Sequence, residues 1–207
     1  MKLVIIEDLQ SYLASCDVID CRHPKIKKKA LSLTKQCQTE IEKARLLFEF
    51  VRDEISHSFD TQHLNRTWKA SDVLIQGHGI CFAKSHLLAA LLRSIEIPAG
   101  FCYQRLRVNK NDPTSILILH GLNAVFLPTN NQWIRLDARG NKAGILAKFS
   151  LKIEQLAFPI QEELGEKDHP YVFSKPDPSV ISCLSDQECW NWNLKHSQLP
   201  MDLSNNP

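Results

Sequence analysis

The sequence predicts an α+β fold, because its helical patterns come first along the chain and its strand patterns follow. Residues 40–56 and 81–95 have the apolar spacing of helices. Residues 100–108, 116–127 and 132–137 are rich in aromatic and β-branched side chains, which is typical of strands. We therefore expect the second helix to pack on an antiparallel sheet formed by these strands.

The first helix, over residues 40–56, is amphipathic. Thr39 or Gln38 lies near its start, where a polar side chain commonly begins a helix. Its apolar residues recur every three or four positions, at Ile41, Ala44, Leu47, Phe48, Val51 and Ile55. This spacing predicts one buried face and one exposed face.

The second helix, over residues 81–95, is apolar around most of its circumference. Such a pattern predicts a helix buried inside the domain. Gly77 and Gly79 precede it and Pro98 follows it, and these residue types mark boundaries of secondary structure.

The last two strands should form an antiparallel hairpin, since the segment Pro128–Asn131 between them is rich in turn residues. The chain after Gly140 shows no clear periodicity. It contains Pro159, Pro170, Pro176 and Pro178, so we expect irregular structure with short elements that wrap the core.

Composition excludes several classes of protein. The 25 basic and 23 acidic side chains nearly cancel, which argues against a nucleic-acid partner. Only 7 glycines are present, and no glycine-rich phosphate-binding motif occurs. The length of 207 residues and the lack of a repeat or linker favour one domain over residues 1–207.

The apolar run at residues 3–6 ends at Glu7 and is too short for a signal peptide, and no stretch approaches a membrane span. These features predict a cytoplasmic protein without a membrane partner, whose seven cysteines are mostly reduced.

Cys81 is the candidate nucleophile. It follows the glycine-containing segment Gly77–Ile80 and lies in the first turn of the predicted buried helix. Unpaired N–H groups and the positive end of the helix dipole favour a thiolate at such a position. The alternative is a small buried side chain without reactivity, as most free cysteines are.

A nucleophilic cysteine needs a base, and three histidines are candidates. His86 lies about 140° around the helix from Cys81, so it should point elsewhere. His78 stands between two glycines, where nothing fixes the orientation of its ring. His120 lies on a predicted strand, where it is either the base or a core histidine with one satisfied hydrogen bond.

The hairpin distinguishes these two interpretations of His120. A four-residue turn aligns Leu127 with Gln132, and a two-residue turn moves this alignment by two positions. Because side chains alternate between faces, both turns place His120 and Asp137 on one face, opposite or one diagonal step apart. We expect that face to meet the Cys81 helix. Cys81, His120 and Asp137 would then be nucleophile, base and orienting carboxylate.

These motifs resemble the transglutaminase-like superfamily, most clearly over residues 45–145, and its bacterial single-domain members more than the calcium-dependent animal enzymes. Besides His120, the similarity lies in Phe48–Asp53, Asp72–Leu74, Gly77–Cys81, Leu87–Gly100 and Trp133–Arg139. The resemblance implies a papain-like core with Cys81, His120 and Asp137 as a catalytic triad. It implies acyl transfer on a carboxamide or peptide bond of a peptide or protein, through a thioester that water (protease or amidase) or an amine (transglutaminase) resolves.

The sequence also departs from the family pattern. Leu122 stands where the family often has an aromatic residue, and Phe82–Lys84 replace the acidic residue that commonly follows the cysteine. A non-catalytic module that binds proteins or peptides on the same fold is therefore the alternative. The backbone N–H of Cys81 is a natural oxyanion donor, and Gln76 is the candidate for the second.

Metals and other cofactors are not expected. Cys16, Cys21 and His23 lack the fourth ligand of a structural zinc site, and no EF-hand-type calcium loop is present. Arylamine acetyl transfer uses a similar triad, but it would need a site for acetyl-coenzyme A, and the sequence has no basic glycine-rich phosphate loop.

Overall fold

The computed structural model describes residues 1–63, 65–186, 196 and 199–204 of the chain, and it confirms the α+β fold. The helices are α1 (Pro24–Thr34), α2 (Glu40–Glu54), α3 (Ser58–Thr61), α4 (Ala70–Gln76), α5 (Cys81–Arg93) and α6 (Pro178–Ser185). The strands are β1 (Val4–Ile5), β2 (Ser56–His57), β3 (His78–Gly79), β4 (Ala99–Arg107), β5 (Leu117–Leu127), β6 (Gln132–Leu136), β7 (Lys167–Asp168) and β8 (Tyr171–Val172). Short 3₁₀ turns occur at Ser11–Leu13, Pro128–Asn130 and Glu162–Leu164.

The central sheet is antiparallel, with the strand order β6-β5-β4-β7. Strand β5 pairs with β4 along most of its length, but it pairs with β6 only from Asn123 to Leu127. The predicted hairpin is confirmed with the four-residue turn, because Leu127 is aligned with Gln132. Asn131 closes this turn in the left-handed region, at φ 46°.

Helix α2 begins where the sequence predicts. The side chain of Thr39 accepts a hydrogen bond from the backbone N–H of Glu42, and the Glu42 carboxylate accepts one from the backbone N–H of Thr39. This reciprocal pair satisfies two N–H groups that the helix leaves free at its start. The face of α2 that contains Ala44, Leu47, Phe48 and Val51 is buried in the core that includes α5.

Helix α5 is buried at every position, as its apolar circumference predicts. It also buries Lys84, whose Nζ donates hydrogen bonds to the carbonyl oxygens of Arg52 and Ile55 at the end of α2. The carbonyl groups in the last turn of a helix and at its cap have no hydrogen-bond partner within the helix. Lys84 therefore joins the end of α2 to the first turn of α5.

Two short parallel pairs of strands lie outside the central sheet, β1 with β8 and β2 with β3. The second pair aligns His57 with Gly79 and Ser56 with His78. It thus holds the residues that follow α2 beside the segment that leads into α5.

The described residues after Gly140 are irregular with short elements, as expected. Near its end, the carbonyl oxygen of Pro200 accepts a hydrogen bond of 2.6 Å from the backbone N–H of Leu119, beyond the part of β5 that β6 covers. Among the described residues, no helix has the length and hydropathy needed to cross a membrane.

Candidate active site

Cys81 is the first residue of α5, directly after the extended Ile80. Only 8% of its surface is exposed, and that part lies in a cleft of about 920 Å³. His120 lines the same cleft. The structure therefore brings Cys81 and His120, which are far apart in sequence, to one site at the start of the buried helix.

His120 and Asp137 form a buried hydrogen bond. The distance from Nε2 of His120 to Oδ2 of Asp137 is 2.8 Å, which confirms the prediction that these side chains share one face. The Asp137 carboxylate also accepts hydrogen bonds of 3.1 Å from the backbone N–H groups of Arg139 and Ala157. The imidazole and these two N–H groups together compensate for the burial of a carboxylate.

The expectation that this face of the sheet packs on α5 is wrong. Gly121 and Asn123, which belong to the other face of β5, lie against Phe82 and Ser85 of the helix. His120 is instead covered by the Phe158 ring, edge-on at 5.0 Å between ring centroids. His120 nevertheless lines the same cleft as Cys81, which is the first residue of α5.

Charges at the site favour an ion pair. Burial by itself lowers the pKa of His120, but the charges of Asp137 and Cys81 and hydrogen bonds to both outweigh it and raise the pKa to about 10. Burial raises the pKa of Asp137, yet the His120 charge and the hydrogen bonds to the carboxylate lower it overall. An imidazolium and a carboxylate are thus the stable forms of the pair at neutral pH.

The two ring nitrogens of His120 have different roles. Because Nε2 is bonded to Asp137, Nδ1 is the ring nitrogen left for an interaction with Cys81. A proton on Nδ1 can stabilise a thiolate and can later be delivered to a leaving group. The structure therefore places the three residues named from the sequence at one site, with His120 bonded to Asp137 and lining the cleft that contains Cys81.

Gln76, the candidate for a second oxyanion donor, is not brought to this site. It ends α4 and is exposed to solvent, and it is not among the residues that line the cleft. Gly77 follows it with φ 74°, a left-handed conformation that turns the chain away from the helix axis before β3 begins.

The other two histidines considered as bases also lie outside the cleft lining. His86 is fully buried, its Nδ1 lies 2.8 Å from the carbonyl oxygen of Trp68, and burial lowers its pKa to about 4. His78 lies 3.0 Å from the Ser58 hydroxyl, and its ring stacks on that of His63 at 4.0 Å. The ring of His78 is therefore fixed, contrary to the expectation from its flanking glycines.

Several polar residues that were not candidates from the sequence also line the cleft. Asp60 of α3 pairs with the guanidinium of Arg139 and with the Lys142 amine, at 3.0 and 2.6 Å from its Oδ1. Burial raises the pKa of Asp60, but these two cations outweigh burial and lower it. His57 lines the cleft from β2. The two-residue strands that position it have no sequence pattern by which it could have been found.

Comparison with known proteins identifies the family. The sequence model of the transglutaminase-like superfamily matches residues 27–138, which is more than half of the chain and includes Cys81, His120 and Asp137. No curated protein matches the chain.

Solved structures resemble the fold. A candidate cysteine protease from Cytophaga hutchinsonii has a TM-score of 0.52 and 19% identity, over 65% of this chain and 43% of that one. A structure described as a TGase has a TM-score of 0.43 and 16% identity, over 90% of this chain and 52% of that one. A candidate protease from Parabacteroides distasonis has a TM-score of 0.41 and 14% identity, over 72% of this chain and 31% of that one. The chain thus spans about half of these proteins or less.

Proposed function

Because the chain belongs to the transglutaminase-like superfamily, we propose that it is a thiol enzyme that transfers acyl groups from a carboxamide or peptide bond. Cys81 is the nucleophile, His120 is the general acid and base, and Asp137 orients the imidazole. Water is the proposed acceptor, which makes the enzyme a protease or amidase, and an amine is the other possible acceptor (transglutaminase).

The first half of the reaction forms a thioester. The Cys81 thiolate attacks the carbonyl carbon, a C–S bond forms, and the electron pair of the carbonyl bond moves to oxygen. When this intermediate collapses, the C–N bond breaks and the imidazolium of His120 gives its proton to the departing amine. Asp137 holds Nε2 of His120 by a hydrogen bond, so the proton that His120 transfers is the one on Nδ1.

The second half regenerates the enzyme. His120, now neutral, removes a proton from water while the water oxygen attacks the thioester, and the thiolate leaves as the acid product forms. An amine would follow the same steps and give a new amide. Both routes balance with no cofactor.

One observation carries this proposal: the buried 2.8 Å bond between His120 and Asp137, in the cleft that also contains Cys81. Burying a charged pair is costly unless both charges are compensated, and a core histidine needs only one neutral hydrogen-bond partner. A carboxylate fixed by two backbone N–H groups behind an imidazole is the arrangement that orients a base.

The lining of the cleft favours a peptide or protein substrate. The apolar side chains that line it are suited to contacts with a polypeptide, and they include Leu106, Val108, Ile118, Ile145 and Phe158. Its polar lining is mainly basic, with Arg107, Lys110, Arg139 and Lys142. We propose a peptide segment, rather than a nucleic acid or a lipid surface, as the partner.

Alkylation by iodoacetamide across pH tests the nucleophile, with peptide mapping to locate the label. We expect one fast-reacting thiol at Cys81, faster than the exposed Cys16, and loss of this fast phase in Cys81→Ala. Mass spectrometry after mixing with p-nitrophenyl acetate should detect an acetyl group on Cys81. Slow, uniform labelling of exposed cysteines without acetylation would instead indicate a non-catalytic binding module.

A further inference from the structure

His57 is a second histidine of the cleft, and β2 holds it beside the segment that leads into α5. The β2–β3 pairing aligns it with Gly79, two residues before Cys81, and adjacent paired strands lie about 4.8 Å apart. Its side chain lines the cleft that contains Cys81 and His120.

The ring of His57 is buried without full hydrogen bonding. Its residue is 8% exposed, and Nδ1 has no hydrogen-bond partner within the described part of the chain. The ring packs edge-on against Phe59, at 5.7 Å between centroids. A buried polar group without a partner is uncommon, so this ring keeps hydrogen-bonding capacity that the described residues do not use.

The charge state of His57 suits a hydrogen-bond donor rather than a base. Burial lowers the pKa of the ring well below its usual value, and the positive charge of Arg139 lowers it further. A neutral imidazole has one N–H donor and one acceptor. It can polarise a carbonyl group without giving up its proton.

We infer that His57 is the side-chain donor of the oxyanion hole, acting with the backbone N–H of Cys81 on the carbonyl oxygen that becomes negative. The inference rests on the proposed function. The N–H of Cys81 is available, because the first N–H groups of a helix have no acceptor within it. The N–H of Cys81 lies at the start of α5, where the helix dipole also favours a negative oxygen, and His57 is paired with Gly79, two residues before it.

His57 takes the place of Gln76 as the second oxyanion donor, because Gln76 lies at the exposed end of α4. During attack by Cys81 the proton of His57 stays on its nitrogen, and only the hydrogen bond strengthens as charge develops. Removing one such donor typically slows acyl transfer by a factor on the order of 10²–10³.

Two reactions at Cys81 separate this role from a structural one. Acetylation by p-nitrophenyl acetate builds negative charge on the carbonyl oxygen, whereas alkylation by iodoacetamide displaces iodide and builds none. We expect His57→Phe to lower the acetylation rate constant by a factor on the order of 10–10³. Alkylation should change by less than about 2-fold, since Cys81 and His120 are retained.

Matched variants complete the test. His57→Gln keeps an N–H donor and should retain most of the acetylation rate, and His57→Met provides a second donor-free variant if His57→Phe does not fold. His86→Gln alters another buried histidine, one outside the cleft, and should leave both reactions unchanged. Circular dichroism checks the fold of each variant.

The outcomes are distinct. Equal acetylation rates in wild type and the folded donor-free variants overturn the inference and leave the proposed function standing. Absence of acetylation at Cys81 in wild type overturns the proposed function, and the inference with it. Parallel losses of acetylation and alkylation in the donor-free variants assign His57 a structural role and also overturn the inference.

Discussion

His120 and Asp137 meet diagonally across the hairpin rather than directly opposite each other. The alignment of Asn123 with Leu136 places Asp137 just past the end of β6, opposite Leu122. His120 precedes Leu122 by two residues on β5, so it lies farther from the turn. Diagonal neighbours of this kind lie within reach of long side chains. The 2.8 Å bond between these two residues therefore depends on the length of the turn at residues 128–131.

A one-residue insertion in this turn should abolish most activity. It shifts the alignment of β6 by one position, which sends Asp137 to the opposite face of the sheet. Loss of the oriented base should lower kcat by a factor on the order of 10²–10⁴. Steady-state kinetics with p-nitrophenyl acetate would measure the loss.

A two-residue insertion is the control, because it restores the face of Asp137 and should be much milder. Equal effects of both insertions, or full activity with one extra residue, would show that the register of the hairpin does not position the pair. Full activity with one extra residue is expected if a β-bulge accommodates that residue and leaves the register unchanged.

Asp137→Asn should leave the fold intact and slow catalysis. The amide cannot stabilise an imidazolium as a carboxylate does, so the pKa of His120 should fall from about 10 towards its ordinary value. We expect kcat to fall by a factor on the order of 10²–10⁴, and alkylation of Cys81 at pH 7 to slow as well. If the substitution lowers the folded fraction of the protein, and the molecules that stay folded react at the wild-type rate, Asp137 has a structural role.

The His120–Asp137 pair should also make stability depend on pH. The pKa of His120 is about 10 in the folded protein and ordinarily 6.5, so the folded state binds more protons between these values. The stabilisation is complete below about pH 6.5 and is lost as pH rises towards 10, because stability falls with pH wherever the folded state binds more protons. Asp137, with its lowered pKa, gives stabilisation above its ordinary pKa that is lost in acid.

Urea unfolding of wild type and His120→Asn at several pH values would measure this effect. The difference in unfolding free energy between the two proteins should shrink by a few kcal/mol between pH 6.5 and 10. A difference that stays constant over this interval contradicts the ion pair.

Lys84 should have the opposite dependence in the same pH interval. Burial, with the charge of Arg139, lowers its pKa from 10.5 to about 7, so the unfolded chain binds more protons between these values. Wild-type stability should therefore rise with pH relative to Lys84→Met, by on the order of 4 kcal/mol across the interval. Urea unfolding at pH 7 and pH 10 would measure it, and a parallel pH dependence of both proteins would show that Lys84 is not held in this way.

The sequence predicted the elements whose patterns are local or periodic. The apolar spacing located α2 and α5, with Thr39 at the start of α2. Alternation along the hairpin placed His120 and Asp137 on one face whichever of the two turns formed, because a two-residue and a four-residue turn give the same parity.

Features that depend on non-local contacts could not be predicted. The β2–β3 pair has two residues in each strand, too few for a periodic pattern, yet it brings His57 to the cleft. Burial of Lys84 depends on carbonyl groups at the end of another helix. The face of β5 that packs on α5 was misassigned because alternation fixes which side chains share a face, but not which neighbour covers it.

The contact between Leu119 and Pro200 has a consequence for self-association. A strand edge that no partner covers offers its backbone donors and acceptors to other chains. The carbonyl oxygen of Pro200 accepts a hydrogen bond from the N–H of Leu119. Proline has no backbone N–H, so Pro200 cannot donate the next hydrogen bond of a β-ladder. Leu199 is buried beside it. Pro200 therefore occupies this position on the edge of β5, and its loss would leave the N–H of Leu119 open to pairing with another chain.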